Sequence, residues 1–258
     1  MDTKEIQQHL IRLGLLDPPA DGKWGKYSDQ ALGDFKKIYS LQESDLAETT
    51  IPWSLGNDFA SRLIKYMLQN QYFIAVGANR FNIIYIEGVD GDGKLNPDRP
   101  NEFNDRRIVV EVLSGIPRIV GNWLATTEPG KHYTVSPMNP KGAARIKFGQ
   151  YKSWQVGMHG NSDRHEALVQ VCPITVHRDR NKDFKRTGDA LDTGLFAVNQ
   201  HWGYDLPKEN IGNASAGCLV GQSRNGHREF MGLIKQDVRY QLAKNYIFFT
   251  TIIAGDVI

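Results

Sequence analysis

The sequence predicts a small all-α domain at the amino terminus followed by a larger, mainly β domain of the β-rich α+β class. Three observations carry this. Before residue 40, apolar residues recur at three- and four-residue steps; after residue 80 they gather in short β-branched and aromatic runs; a polar stretch with Pro52 and Gly56 lies between. At 258 residues and 40% hydrophobic content, the chain is long enough to bury a sizeable core.

Ile6, Leu10 and Leu13 mark a first helix over residues 3–13 that ends at Gly14. The stretch LLDPPADGKWG is a turn, and Ser28 is the expected cap of a second helix carrying Ala31, Leu32, Phe35 and Ile38. This helical unit spans residues 1–45, with a linker over 46–57 and the β-rich domain over 58–258. That domain opens with a helix whose buried side holds Phe59, Leu63 and Tyr66 or Met67. Strands are expected at 82–87, 107–113, 117–124, 155–158, 168–176, 196–200 and 246–253, with Gly115 in a turn and a helix over 227–236.

Composition narrows the function. A net charge of +2 argues against a dedicated nucleic-acid binder. No apolar run approaches the roughly 20 residues that span a bilayer, and the opening segment MDTKEIQQHLIRLG does not read as an export signal. Residues 131–186 hold eleven Lys/Arg against four Asp/Glu, either a solvated face or a surface for a carboxylate-bearing substrate. Cys172 and Cys218 are too few for a disulfide framework and read as free thiols or one bridge. In VDGDGKLNPD, Asp90 and Asp92 begin like a calcium loop, but Lys94 and Leu95 break it, so a plain turn or a substrate-facing loop is expected.

The chemistry concentrates in NASAGCLVG, residues 213–221. A thiol that attacks an amide needs a base, oxyanion donors and a backbone that exposes the sulfur. Gly217 supplies the backbone, the amides of Gly217 and Cys218 are candidate donors, and His201, at the end of a strand, is the candidate base. Cys172, within ALVQVCPITV, reads as a core residue.

Two resemblances rest on these residues. Leu13, Gly14, Asp21, Gly22, Gly25, Ser28, Ala31 and Phe35 form a pattern that resembles the small helical peptidoglycan-binding module of cell-wall enzymes. The second region, His201 followed by Ser215, Gly217 and Cys218, resembles the active-site signature of the L,D-transpeptidase family. That resemblance implies an L,D-transpeptidase-like catalytic fold with Cys218 as nucleophile and His201 as base. Ala216 stands where the family has a second histidine and Val220 where it has Asn or Arg, and the His-to-Ser interval is one residue short. A divergent branch is implied, similar to delivered, phage-type (endolysin-like) lytic proteins acting at the bacterial wall or periplasm.

The resemblance thus implies a cysteine enzyme, expected to be a monomer without a cofactor, that acts on peptidoglycan through a thioester at Cys218. Trp202, His177, Arg178 and Arg186 are candidate substrate-binding residues, the two arginines for a stem-peptide carboxylate. Water as acceptor gives a peptidase, the preferred outcome; a second stem's amine gives a transpeptidase. Two other readings stay open: a zinc amidase built from His159, His165, His177, His201 and Cys218, and a non-catalytic wall-binding component.

Overall fold

The computed structural model describes residues 1–258. The first elements are α1 (Thr3–Arg12), α2 (Lys26–Tyr39), α3 (Phe59–Gln69), β1 (Phe81–Glu87), β2 (Asp105–Leu113), β3 (Ile116–Thr126) and α4 (Lys131–Val135). Next come β4 (Ala143–Ile146), β5 (Gly149–His159), β6 (His165–Gln170), β7 (Ile174–Asp179), β8 (Ala190–Gly194), β9 (Gln200–Trp202) and β10 (Leu219–Gly221). The chain closes with α5 (Arg224–Ile234), α6 (Val238–Leu242) and β11 (Ile247–Ala254). No helix is long and apolar enough to cross a membrane.

The expected separate all-α domain does not form. Helices make up 24% of the chain, and the compact unit that contains α1, α2 and α3 also takes residues 110–120, the tip of the β2–β3 hairpin, and residues 236–243 with α6. Long-range contacts, to which local periodicity is blind, hold this unit together. Gly115 turns the hairpin at φ +77°, where a Cβ would lie 2.1 Å from the Pro52 carbonyl oxygen. Val76 N–H donates to the Gly14 carbonyl at 2.9 Å, and the Arg239 guanidinium bonds Asp17, Asp237 and the Phe81 carbonyl.

Inside the unit, Asp2 caps α1 in a reciprocal box with Glu5, and Asp58 caps α3 through the Ser61 amide. α2 begins one turn earlier than expected, with Gly25 at its cap; Ser28 is buried within it and accepts from Gln7 Nε2 at 3.3 Å. The buried Gln7 amide fastens the DGKWG turn to α1, donating to Asp21 Oδ1 and the Lys23 carbonyl and accepting from Gly22 N–H. Ile6, Leu10, Leu13, Leu15, Ala31, Phe35 and Leu46 form the core beneath.

The second unit comprises residues 83–109, 121–235 and 244–258. Its centre is a closed eight-stranded barrel in the order β1-β11-β5-β6-β9-β10-β3-β2, with a three-stranded sheet β4-β7-β8. The last strand, β11, pairs in parallel with β1 from Ile83 opposite Thr250 to Glu87 opposite Ala254. Closure leaves no free edge in the barrel. The single strand expected over 168–176 is two strands in different sheets, β6 and β7, parted at Pro173, which has no amide proton for a ladder. Ser223 caps α5 through the Gly226 amide. The Asp90 segment is a turn closed by Asp90 N–H to the Lys94 carbonyl and by the Lys94–Asp92 pair.

Candidate active site

β9 and β10 run in parallel, with Leu219 opposite Gln200 and Val220 opposite His201. That register puts Cys218 level with Asn199 and His201 two residues further along on the same face. With strands about 4.8 Å apart and about 3.3 Å per residue, the two Cα atoms are roughly 8 Å apart, a separation that a thiol and an imidazole leaning together can bridge. Both residues line one cavity of about 630 Å³.

The turn before β10 is tightly braced. Gly217 N–H donates to Ser215 Oγ at 3.2 Å, and that hydroxyl donates to the Cys218 carbonyl at 2.9 Å. Ser215 is therefore a buried brace of the turn. Gly217 sits at φ +127°, and a Cβ there would lie 2.5 Å from the Ala144 carbonyl oxygen. Of the two amides expected as oxyanion donors, the Gly217 amide is engaged with Ser215, which leaves that of Cys218.

Cys218 is a free, half-buried thiol. Asn199 N–H points at its sulfur at 3.4 Å, and the sulfur faces the Ala197 carbonyl at 3.6 Å. Burial pushes the thiol up to about 11 against the smaller pull of the Asn199 amide. Cys172, expected in the core, is also free and only half-buried.

His201 is buried, and its Nδ1–H donates to the Trp202 carbonyl at 2.7 Å. That bond fixes the tautomer, so Nε2 carries the lone pair. Burial, then the neighbouring His159, holds the imidazole well below its ordinary value, so it is neutral at pH 7. The rings of His159 and His201 stack at 3.9 Å between centroids and 10° between planes.

A buried guanidinium supports the two strands from below. Arg107 has no carboxylate partner; it donates to the carbonyls of His201 at 3.0 Å and Leu219 at 3.4 Å and to His227 Nδ1 at 3.0 Å, and lies 4.3 Å from the Phe230 ring centroid. Gly221 leaves it room, since a Cβ there would sit 2.6 Å from Arg107 Nη1. His227 also donates from Nε2 to the Glu166 carbonyl at 2.8 Å, and burial with the Arg107 charge drives it down to about 2.

The four expected substrate-binding residues separate. Arg178 lines the cavity with Cys218 and His201; its Nε donates to Asp192 at 2.9 Å and its buried Nη2 has no partner. Arg186 does not line the cavity, being paired with Glu87 at 2.6 Å and stacked on Phe148. His177, next to Arg178 on β7, points to the opposite face and is also outside the cavity. Trp202 lies outside it too, stacked on His165 at 3.7 Å with Arg224 and Arg228 over its ring.

Three arginines of the basic stretch are paired, Arg145 with Glu128 and with Asp179 of the same stretch, Arg178 with Asp192, and Arg186 with Glu87. No group of three or more His, Cys, Asp or Glu side chains is arranged to hold a metal ion. His227 has both ring nitrogens engaged, and His165 donates from Nδ1 to the Asp163 carbonyl.

Asn199 and Arg107 escaped the sequence reading, and His159 entered it only as a metal ligand. The signal for Asn199 was its place two residues before His201 on one strand. Nothing local marks Arg107.

No family model matches the sequence, and no curated protein matches it. Two solved structures are similar to it at 14% identity. One is a fused zinc-dependent amidase/peptidase/peptidoglycan-binding domain-containing protein from Clostridium acetobutylicum, covering 97% of this chain and 94% of that one with a TM-score of 0.32. The other is the L,D-transpeptidase (residues 123–326) from Xylanimonas cellulosilytica, covering 98% and 93% with a TM-score of 0.23. The likeness is distant.

Proposed function

We propose that this chain is a cysteine-dependent acyl-transfer enzyme that cleaves an amide of a peptidoglycan stem peptide. The observation that carries the reading is a thiol just before β10 and a neutral imidazole with a free Nε2 on the adjacent strand β9, both lining one cavity. The substrate class rests on the resemblance of His201, Ser215, Gly217 and Cys218 to the L,D-transpeptidase signature. Arg178 supports it, because an unpartnered buried guanidinium nitrogen in that cavity suits a carboxylate such as a stem peptide bears.

The resting pair is uncharged. As the sulfur attacks the carbonyl carbon, the S–H proton passes to His201 Nε2 and the oxyanion is held by the Cys218 amide. The C–N bond then breaks, and the imidazolium returns its proton to the departing amine. Water attacks the resulting thioester and gives a proton to His201; the acid leaves and the thiol is restored. An amine as acceptor would make a new cross-link by the same steps.

The test is incubation of purified peptidoglycan with the protein and with Cys218→Ala, followed by mass analysis of the muropeptides. Cleaved stems from the native chain alone are expected. Identical products from both would end the proposal.

A further inference from the structure

We infer that His159 is a catalytic residue whose Nε2–H donates to the carbonyl oxygen of the substrate amide, completing the oxyanion site that Gly217 leaves short; this rests on the function proposed above. One donor is missing from that site. An oxyanion forming at the attacked carbonyl is ordinarily held by two donors, and here the Gly217 amide is bonded to Ser215 Oγ at 3.2 Å. A second N–H must come from elsewhere in the cavity.

The hydrogen bonds around Asn199 equip His159 to supply it. Gln170 N–H donates to Asn199 Oδ1 at 2.9 Å, which fixes the orientation of that amide. The Asn199 nitrogen Nδ2 is then the atom 3.0 Å from His159 Nδ1, and since it donates, Nδ1 of His159 is the bare acceptor. Burial and the neighbouring His165 hold His159 below its ordinary value, so the ring is neutral and its proton lies on Nε2.

The two stacked imidazoles are consequently locked in opposite tautomers. His201 gives its Nδ1–H to the Trp202 carbonyl and keeps a lone pair on Nε2; His159 accepts at Nδ1 and keeps a proton on Nε2. Both line the cavity that contains Cys218. One ring is equipped to take the thiol's proton and the other to donate to the oxygen. The same Asn199 aims its backbone N–H at the sulfur, so a single residue orders the nucleophile and the donor histidine.

The stack reinforces this division. His159, stacked at 3.9 Å, adds to burial in disfavouring a resting positive charge on His201, while burial and His165 do the same for His159, so the pair rests as a neutral base beside a neutral donor. Fixed donors of this kind act without reorganisation as the charge develops.

The experiment compares native protein, Cys218→Ala, His159→Phe and His159→Gln on peptidoglycan-derived muropeptides, measuring kcat and KM alongside iodoacetamide alkylation of Cys218 at pH 9. Phe retains a stacking ring without a donor, whereas Gln retains an N–H. Removing one oxyanion donor lowers kcat about 100- to 1000-fold, so His159→Phe should fall by that much with KM little changed, and His159→Gln should recover at least about tenfold of the loss. Alkylation should stay within about threefold of native in both, because the thiol keeps its Asn199 contact. If His159→Phe does not fold, His159→Ala removes the donor without added bulk.

Turnover in the donor-less variant within about threefold of native, or an equal drop in alkylation, would overturn the inference and leave the proposed function standing. Native protein indistinguishable from Cys218→Ala would remove the function and the inference with it.

Discussion

At rest, Cys218 is a protonated thiol and not half of a thiolate–imidazolium pair, and this is measurable without a substrate. Burial pushes the thiol from 9.0 to about 11 while it holds His201 neutral. At pH 8 about one thiol in ten is ionised at the ordinary value and about one in a thousand at 11, a hundredfold deficit. A more basic thiolate is intrinsically about tenfold more reactive over that interval, which offsets part of it. In a Cys172→Ser background, iodoacetamide should therefore alkylate Cys218 about tenfold more slowly at pH 8 than it does a small free thiol. The rate should keep climbing through pH 10. His201→Ala should change alkylation by less than about threefold yet abolish turnover, because the imidazole acts as a base during attack and not before it. A rate that levels off between pH 7 and 8, or collapses when His201 is removed, would rule out the neutral resting pair and indicate a preformed ion pair.

The same geometry sets three further outcomes. Gly217→Ala places a side chain at φ +127° and 2.5 Å from the Ala144 carbonyl, and should destabilise the fold by about 2–4 kcal/mol in denaturant titration. Arg178→Met should raise KM about 10- to 100-fold for a carboxylate-bearing substrate, with Arg178→Lys intermediate, as loss of a charge-assisted hydrogen bond requires. His227 is held near 2 when folded and titrates near 6.5 when unfolded, so the unfolded chain binds the extra proton and this stabilisation, complete above pH 6.5, is lost as pH falls. Between pH 7 and 4.5 the native chain should lose about 2–3 kcal/mol more than His227→Gln, read from urea midpoints at each pH.

The nucleophile and base candidates were legible because a glycine-backed cysteine and a histidine ending a strand are local features. Helices α1, α3 and α5 were legible through their apolar spacing. The independence of the amino-terminal helices was not, because it depends on Gly115 meeting Pro52 and on Arg239 reaching Asp17, pairings that no window of sequence contains. Charge misled for the same reason. Arg186 looked available in a basic stretch, yet Glu87, about a hundred residues earlier, claims it. Strand alternation could have warned that His177 and Arg178 cannot both face one cavity. His159 was weighed only as a metal ligand, since only the barrel order β5-β6-β9-β10 shows that it stacks on His201.

The proposed chemistry stands or falls on a covalent acyl–sulfur intermediate at residue 218. Protein mixed with excess muropeptide, quenched in acid within the first turnovers and weighed intact, should gain the mass of the acyl fragment. Peptide mapping should place that mass on Cys218, and hydroxylamine should remove it. Native protein that turns the substrate over with no such adduct, or with one on another residue, would show that Cys218 is not the nucleophile.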